Sequence, residues 1–356
     1  MSDIRSDTLP RVAGAMVAAT LATSLISQVL RHRRVVRGRG DEQFLVTGSG
    51  NLIAYQFTEP SRPVPPVPGE AQRPVLVCEA GLVSTAEHWT WLRRALSAGH
   101  PVLTYNRAGY GRGEYRQSHP FTVAGAASDL TDLVRHVCGD RPVVLAGHSL
   151  GGYIAIRALE SLRDLAVGMV LIDPSHPAEL QRSKSQALGA EAFDFALKLM
   201  PASMRLGLGA LLPRPTWVDL LPEDERRLAL DQYRDSKLWT AGAREWLGVY
   251  GDFLNHDGST PKVGVPLCLV AAATTHAKDP IQAELHAAFV DTSPSGSQFL
   301  IEDASHDELL LNEKPAREIA VLIEDFLAAL RTGSTAGAQA VAAVAALGAD
   351  GSEEES

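Results

Sequence analysis

A chain of 356 residues accommodates two small domains or one large one, at roughly 100–200 residues per domain. With 45% hydrophobic and 21% charged residues it has the composition of an ordinary globular fold, which excludes a wholly disordered chain and a polytopic membrane protein. The net charge of −9 argues against a nucleic-acid partner, and three scattered cysteines (Cys78, Cys138, Cys268) without CxxC spacing give neither a disulfide framework nor a zinc site.

The chain opens unusually. Residues 12–30 carry no charge over 19 positions, about the minimum that spans a bilayer, and Arg31, Arg33, Arg34, Arg37 and Arg39 follow. Positive charge after a hydrophobic run, rather than before it, argues against a cleaved secretory signal and would keep this flank cytoplasmic. Thr20, Thr23, Ser24, Ser27, Gln28 and Arg31 recur at helical spacing and draw a polar stripe down the run. Such a helix also fits a membrane surface, with its arginines on anionic lipid, or a docking face on its own domain. Residues 1–40 are therefore read as a candidate membrane anchor, with residues 12–39 associating a cytoplasmic catalytic domain with the membrane.

Residues 44–47 and 52–57 predict a hairpin turned by Gly48-Ser49-Gly50-Asn51, and the proline-rich stretch 59–74 predicts an extended surface loop. Short apolar runs follow at 75–78, 102–105, 143–146, 169–172, 267–270 and 299–301, of the kind buried on both faces of a parallel sheet. Helical patterns at 86–98, 123–137, 150–162 and 315–330 alternate with them, which predicts an α/β fold with a mostly parallel central sheet. The interval of about 177–261 has helical stretches and no strand, and reads as an inserted helical cap. Residues 41–331 thus form one catalytic domain, and the Ala/Gly/Ser-rich residues 332–356 read as a disordered tail.

The strongest chemical signal is Gly147-His148-Ser149-Leu150-Gly151, a Gly-x-Ser-x-Gly elbow with a strand before it and an apolar helix after it. A free serine hydroxyl is a poor nucleophile and needs a base. Of eleven histidines, His306 is best placed, between the last strand and the last helix, whereas His148 lies inside the elbow and should point away from the hydroxyl. Two aspartates satisfy the chain order Ser…Asp…His: Asp173, at the end of a strand, and Asp279, on a longer loop after the next one. Strand-end rigidity favours Asp173. Oxyanion donors are expected from the backbone N–H of Leu150 and of Leu82, in the turn Glu79-Ala80-Gly81-Leu82-Val83. Acyl transfer by these groups requires no metal and no organic cofactor, so the expected partner is a small-molecule ester. In the cap, Phe193, Phe195, Leu197, Leu199, Met200, Met204, Leu206, Leu208, Leu211, Leu212, Trp217, Trp239 and Trp246 suit either its own core or a lipid-lined tunnel.

Taken together, Glu79-Ala80-Gly81-Leu82 with Trp89, Tyr105-Asn106-Arg107-Ala108-Gly109-Tyr110-Gly111, the elbow, Asp173-Pro174-Ser175-His176-Pro177 and Ser305-His306 resemble the α/β-hydrolase superfamily from about residue 42 to 331. Within it the chain is similar to bacterial capped hydrolases with a Tyr-Asp-Arg-Ala-Gly-Tyr-Gly motif, Asn106 replacing the aspartate at a position that looks structural. In those relatives the strand-end aspartate often serves as the triad acid, which the resemblance carries to Asp173. It also implies an aspartate nucleophile in dehalogenases and epoxide hydrolases, against which Ser149 argues.

Overall fold

Eight strands form one sheet in a computed structural model that describes residues 8–62, 72–116 and 119–332. The tail 333–356 and most of the proline-rich loop (63–71) lie outside the described residues. The strands are β1 (Gln43–Val46), β2 (Leu52–Thr58), β3 (Val75–Glu79), β4 (Val102–Asn106), β5 (Val143–His148), β6 (Ala166–Ile172), β7 (Leu267–Ala272) and β8 (Gly296–Ile301). Their order is β1-β2-β4-β3-β5-β6-β7-β8, with the β1–β2 and β2–β4 pairings antiparallel and all the others parallel. Every residue of β3, β4, β5 and β7 is buried, which explains their unbroken apolar sequences.

The helices are α1 (Thr8–Arg37), α2 (Thr90–Leu96), α3 (Val123–Cys138), α4 (Leu150–Ala158), α5 (Glu179–Arg182), α6 (Lys184–Arg205), α7 (Trp217–Leu220), α8 (Glu223–Tyr233), α9 (Ser236–Leu254), α10 (Ala273–Lys278), α11 (Pro280–Asp291), α12 (Glu308–Leu311) and α13 (Glu313–Thr332). Alternation along the strands divides the core between the two faces of the sheet. Val75, Val77, Val143 and Leu145 pack with Leu130 and Leu133 of α3 and Ile154 of α4, while Leu76, Cys78, Val144 and Ala146 pack with Leu92 of α2 and Ile319 and Ile323 of α13. All three cysteines are free and buried.

Two expectations change. The segment between β7 and β8, read as a loop, holds α10 and α11, and Asp279 caps α11: its carboxylate accepts from the Ile281 N–H at 3.1 Å, with Pro280 in the first turn. An aspartate before a proline at a helix start is a capping signature that could have placed this helix. The second concerns the polar stripe of α1, for which the docking alternative is the one seen: it packs against the helical insertion α5–α9. Ser24 Oγ donates to Gly207 O at 2.5 Å, Gln28 Nε2 to Asp235 at 3.2 Å and Arg31 to Arg234 O at 3.1 Å. Arg34 forks onto both oxygens of Asp231, at 2.6 and 2.8 Å. Arg39 reaches Glu225 of α8 at 2.6 Å and Glu87, in the turn before α2, at 3.3 Å. Among the described residues no helix is long and apolar enough to cross a membrane.

One buried guanidinium ties the sheet to the insertion. Arg107, just past β4, donates to both carboxylate oxygens of Glu245 on α9 at 2.7 and 2.8 Å and to Glu79 at the end of β3 at 2.6 Å. It also donates to the carbonyls of Ala80 and Gly81, while Tyr105 donates to the other oxygen of Glu79. Tyr110 Oη completes the set, donating to Glu245 at 2.8 Å and accepting from the Val83 N–H at 3.3 Å. Burial lifts the Glu79 carboxyl to about 7, with Arg107 pulling the other way. Replacing Arg107 by Gln strands two buried carboxylates, so Arg107→Gln is expected to lose about 3–5 kcal/mol of stability. Urea unfolding monitored by circular dichroism measures this; a midpoint equal to wild type would contradict it.

Candidate active site

The site is assembled from loops at the carboxyl ends of the parallel strands, where open α/β sheets place their ligands. β5 runs directly into Ser149, which adopts φ 54°, ψ −127° before α4 begins at Leu150. Two glycines make so sharp a turn possible. A Cβ at Gly147 would lie 2.5 Å from the Gly152 Cα, and one at Gly151 would lie 2.2 Å from the Glu79 carbonyl oxygen. The Ser149 N–H is held by the Ile172 carbonyl at 3.1 Å, which locks the elbow to β6.

Asp173 follows β6 and His306 follows β8, and the two side chains meet: His306 Nδ1 lies 2.7 Å from Asp173 Oδ2. The Thr275 hydroxyl of α10 donates to the same oxygen at 2.7 Å. The structure leaves Asp279 out of this group, since its carboxylate accepts from the hydroxyls of Ser183 and Ser185 at 2.5 and 2.7 Å besides capping α11. His148 also turns away, buried beneath His306 with ring centroids 4.6 Å apart and its Nε2 3.2 Å from the His306 carbonyl. With the carbonyl as the only partner of that nitrogen, the proton is assigned to Nε2.

Leu82 and Leu150 line the same cavity as Ser149 and His306. Leu150 is the first residue of α4, where backbone N–H groups have no acceptor within the helix. A Cβ at Gly81 would sit 3.2 Å from the Ser149 Cβ, so the β3 loop lies against the elbow. All four non-glycine residues with positive φ among the described residues, Val83, Ser149, Asp173 and Asp303, lie in the loops that carry these groups. Backbone strain is thus concentrated around the cavity.

The histidines respond differently to one cause. Burial lowers His148 to about 3, helped by the nearby charge of His306, and lowers His176 and His286 to about 4 each. Burial opposes protonation of His306 too, but its hydrogen bond and ion pair with Asp173 outweigh it and raise the imidazole to about 8. Asp173 is itself buried, which favours its neutral form, yet His306 above all, then His286 and the Thr275 hydroxyl, hold it down at about 2. The pair can therefore store and move one proton next to Ser149.

The insertion supplies the other wall of a cavity of about 370 Å³, through Phe193, Trp217, Tyr233, Trp246 and Phe253. Glu179 and Asp307 also line it, and no Lys or Arg does so among the described residues. The apolar residues of the insertion thus divide three ways. Leu197, Met204 and Trp239 are buried in its core, Phe193, Trp217 and Trp246 face the cavity, and Phe195, Leu199, Leu206, Leu208 and Leu211 are exposed. Glu245, Thr275 and Glu179 were missed from sequence; only Glu179, two residues beyond Pro177, lay near a motif already singled out.

Comparison with known proteins agrees with this architecture. The chain is 26% identical over 231 residues to Lipase LipV of Mycobacterium tuberculosis, covering 62% of this chain and 82% of that protein. It is 30% identical over 105 residues to an AB hydrolase superfamily protein of Gibberella zeae, covering 29% of this chain and only 33% of that relative's length. Several of the other curated relatives it matches are likewise spanned over less than half their length. A thermophilic esterase from Thermogutta terrifontis shares the fold at 19% identity and a TM-score of 0.56, covering 82% of this chain and 99% of that one. Epoxide hydrolase VrEH1 from Vigna radiata does so at 17% identity and 0.59, covering 80% and 97%. These likenesses are of fold. The sheet order, the strained serine elbow and the match of the alpha/beta hydrolase family model to residues 75–322, well over half of its length, make this chain a member of that family.

Proposed function

We propose that the chain hydrolyses carboxylic esters through an acyl-enzyme on Ser149, with His306 as general base and acid and Asp173 as its orienting carboxylate. The observation that carries this reading is the 2.7 Å contact of His306 Nδ1 with Asp173 in a cavity that Ser149 shares. Nδ1 is occupied by the carboxylate, so Nε2 is the nitrogen free to take a proton. In the first half-reaction Nε2 takes the Ser149 hydroxyl proton as Oγ bonds to the ester carbonyl carbon. The N–H groups of Leu82 and Leu150 stabilise the resulting oxyanion. His306 then returns the proton to the leaving oxygen, the C–O bond breaks and the alcohol departs. Water repeats the sequence on the acyl-enzyme, releasing the acid and restoring Ser149.

The cavity favours an uncharged, apolar ester. Five aromatic side chains offer dispersion contacts, and among the described residues no Lys or Arg lines the cavity to hold an anionic substrate. The same residues suit other serine-based reactions on this fold, such as perhydrolysis or cleavage of amides and C–C bonds. Ester cleavage stands ahead of epoxide opening because a serine, not an aspartate, occupies the elbow.

Three results are expected. Ser149→Ala abolishes both hydrolysis of p-nitrophenyl esters and covalent labelling by a fluorophosphonate while remaining folded; near-native turnover in that variant would refute the acyl-enzyme. Asp173→Asn lowers kcat by about 10³–10⁴-fold, whereas Asp279→Ala costs about 1 kcal/mol of stability through the lost cap and leaves kcat within a few-fold. The reverse ranking would make Asp279 the acid. Finally, the base must be neutral to accept a proton, and Asp173 raises His306 to about 8 against the effect of burial. kcat/KM is therefore expected to rise about ten-fold per unit below pH 7 and to level off above roughly pH 9. A profile flat across that interval would exclude His306 as the titrating base.

A further inference from the structure

Helix α1 is folded inside out for a surface helix. Such helices turn an apolar stripe to the protein and a polar one to water. Here the polar residues Ser24, Gln28, Arg31 and Arg34 face the insertion through the bonds described above. The opposite face is apolar and open to solvent: Leu25, Ile26, Val29, Leu30 and Val36 are 46%, 61%, 52%, 48% and 41% exposed. Further exposed apolar side chains lie beside the helix. Gly207 lies so close to Ser24 that a Cβ there would meet Ser24 Oγ at 2.7 Å, and Leu206 and Leu208, on either side of Gly207, are 62% and 38% exposed. Leu211 follows at 73%. An apolar surface of this extent on a soluble face calls for an occupant.

Charge identifies the occupant. Arg33 and Arg37 stand exposed at the carboxyl end of the open face, and residues 8–37 contain no acid. A second copy of this helix meeting the face would offer Arg33 and Arg37 no carboxylate to pair with. Phosphate and carboxylate headgroups above a hydrocarbon layer match both halves of the face, the leucines dipping below the headgroups and the arginines remaining among them. We propose that the outer face of α1, continued by Leu206, Leu208 and Leu211, seats the protein on an anionic lipid surface. The helix lies in the interface plane without crossing it. This proposal is independent of the chemistry assigned to Ser149.

The test is flotation of the purified full chain with phosphatidylcholine vesicles containing about 30% phosphatidylserine, and with vesicles of phosphatidylcholine alone. The wild type is expected to float with the anionic vesicles and to be released by salt. The paired variant Ile26→Ser/Val29→Ser is expected to weaken partition about ten-fold or more. Arg33→Glu/Arg37→Glu is expected to abolish the preference for phosphatidylserine, a loss of about thirty-fold. These side chains are solvent-exposed, so both variants should keep the wild-type thermal midpoint to within about 2 °C, which separates lost binding from lost folding. Absence of wild-type flotation, or unchanged partition of either folded variant, overturns the proposal. So does self-association of the wild type without lipid that the Ile26→Ser/Val29→Ser variant loses, because that result assigns the face to a second copy.

Discussion

The guanidinium of Arg107 is the constraint around which the site is organised. A charge taken out of water is tolerated only when it is fully paired, and Arg107 is surrounded by two carboxylates and two carbonyls from two other parts of the chain. Satisfying its donors fixes the β3 loop, the turn after β4 and α9 relative to one another. The β3 loop carries Leu82, α9 carries Trp246 and Phe253, and the elbow rests against Gly81. The position of a backbone donor and the shape of an apolar wall thus depend on one side chain that touches neither Ser149 nor the cavity. Asn106, beside it, works in the same sense: its Oδ1 accepts from the Ala86 N–H at 3.0 Å, joining the β4 end to the turn before α2.

What could be read from sequence follows the range of the interactions involved. The serine elbow is a local object, because five consecutive residues and their flanking periodicities contain all the steric information it needs. The strands were legible for similar reasons, six from continuous apolar runs that have few other uses and the first two from the hairpin turn Gly48-Ser49-Gly50-Asn51. Glu245 was not, as it pairs with an arginine 138 positions away and sits in a helix whose pattern explains it without a partner. Thr275 was hidden likewise, in a helix mistaken for a loop. The polar stripe of α1 was visible, but its partners Asp231 and Asp235 lie some two hundred positions downstream, so a docked helix and a lipid-facing one have the same sequence pattern. Apolar residues of the insertion carried the least information. Periodicity states that Leu197, Trp217 and Leu211 avoid water, yet they occupy a core, a cavity wall and an open surface respectively.

Electrostatics distinguishes the histidines more sharply than position does. His148, His176, His286 and His306 share one corner of the fold, and burial pushes each towards the neutral form. Three of them yield to it and act as neutral hydrogen-bonding groups; His148, for instance, supports the carbonyl of His306. Only His306 has a buried carboxylate on its ring, and only there is protonation made easier. One ion pair among several buried imidazoles therefore selects which can exchange a proton near neutral pH.

Arg39 gives the helical insertion a second anchor, between the buried carboxylates of Glu225 on α8 and Glu87 in the turn before α2, in addition to the one Arg107 makes on α9. A roof fastened to its base at two separate points is held more firmly than either point alone would hold it. Lifting it as a rigid body would rupture both sets of charges, at several kcal/mol each, before any substrate was bound. The aromatic wall over Ser149, from Phe193 to Phe253, is thus held in place by two clusters of ion pairs that lie outside the cavity.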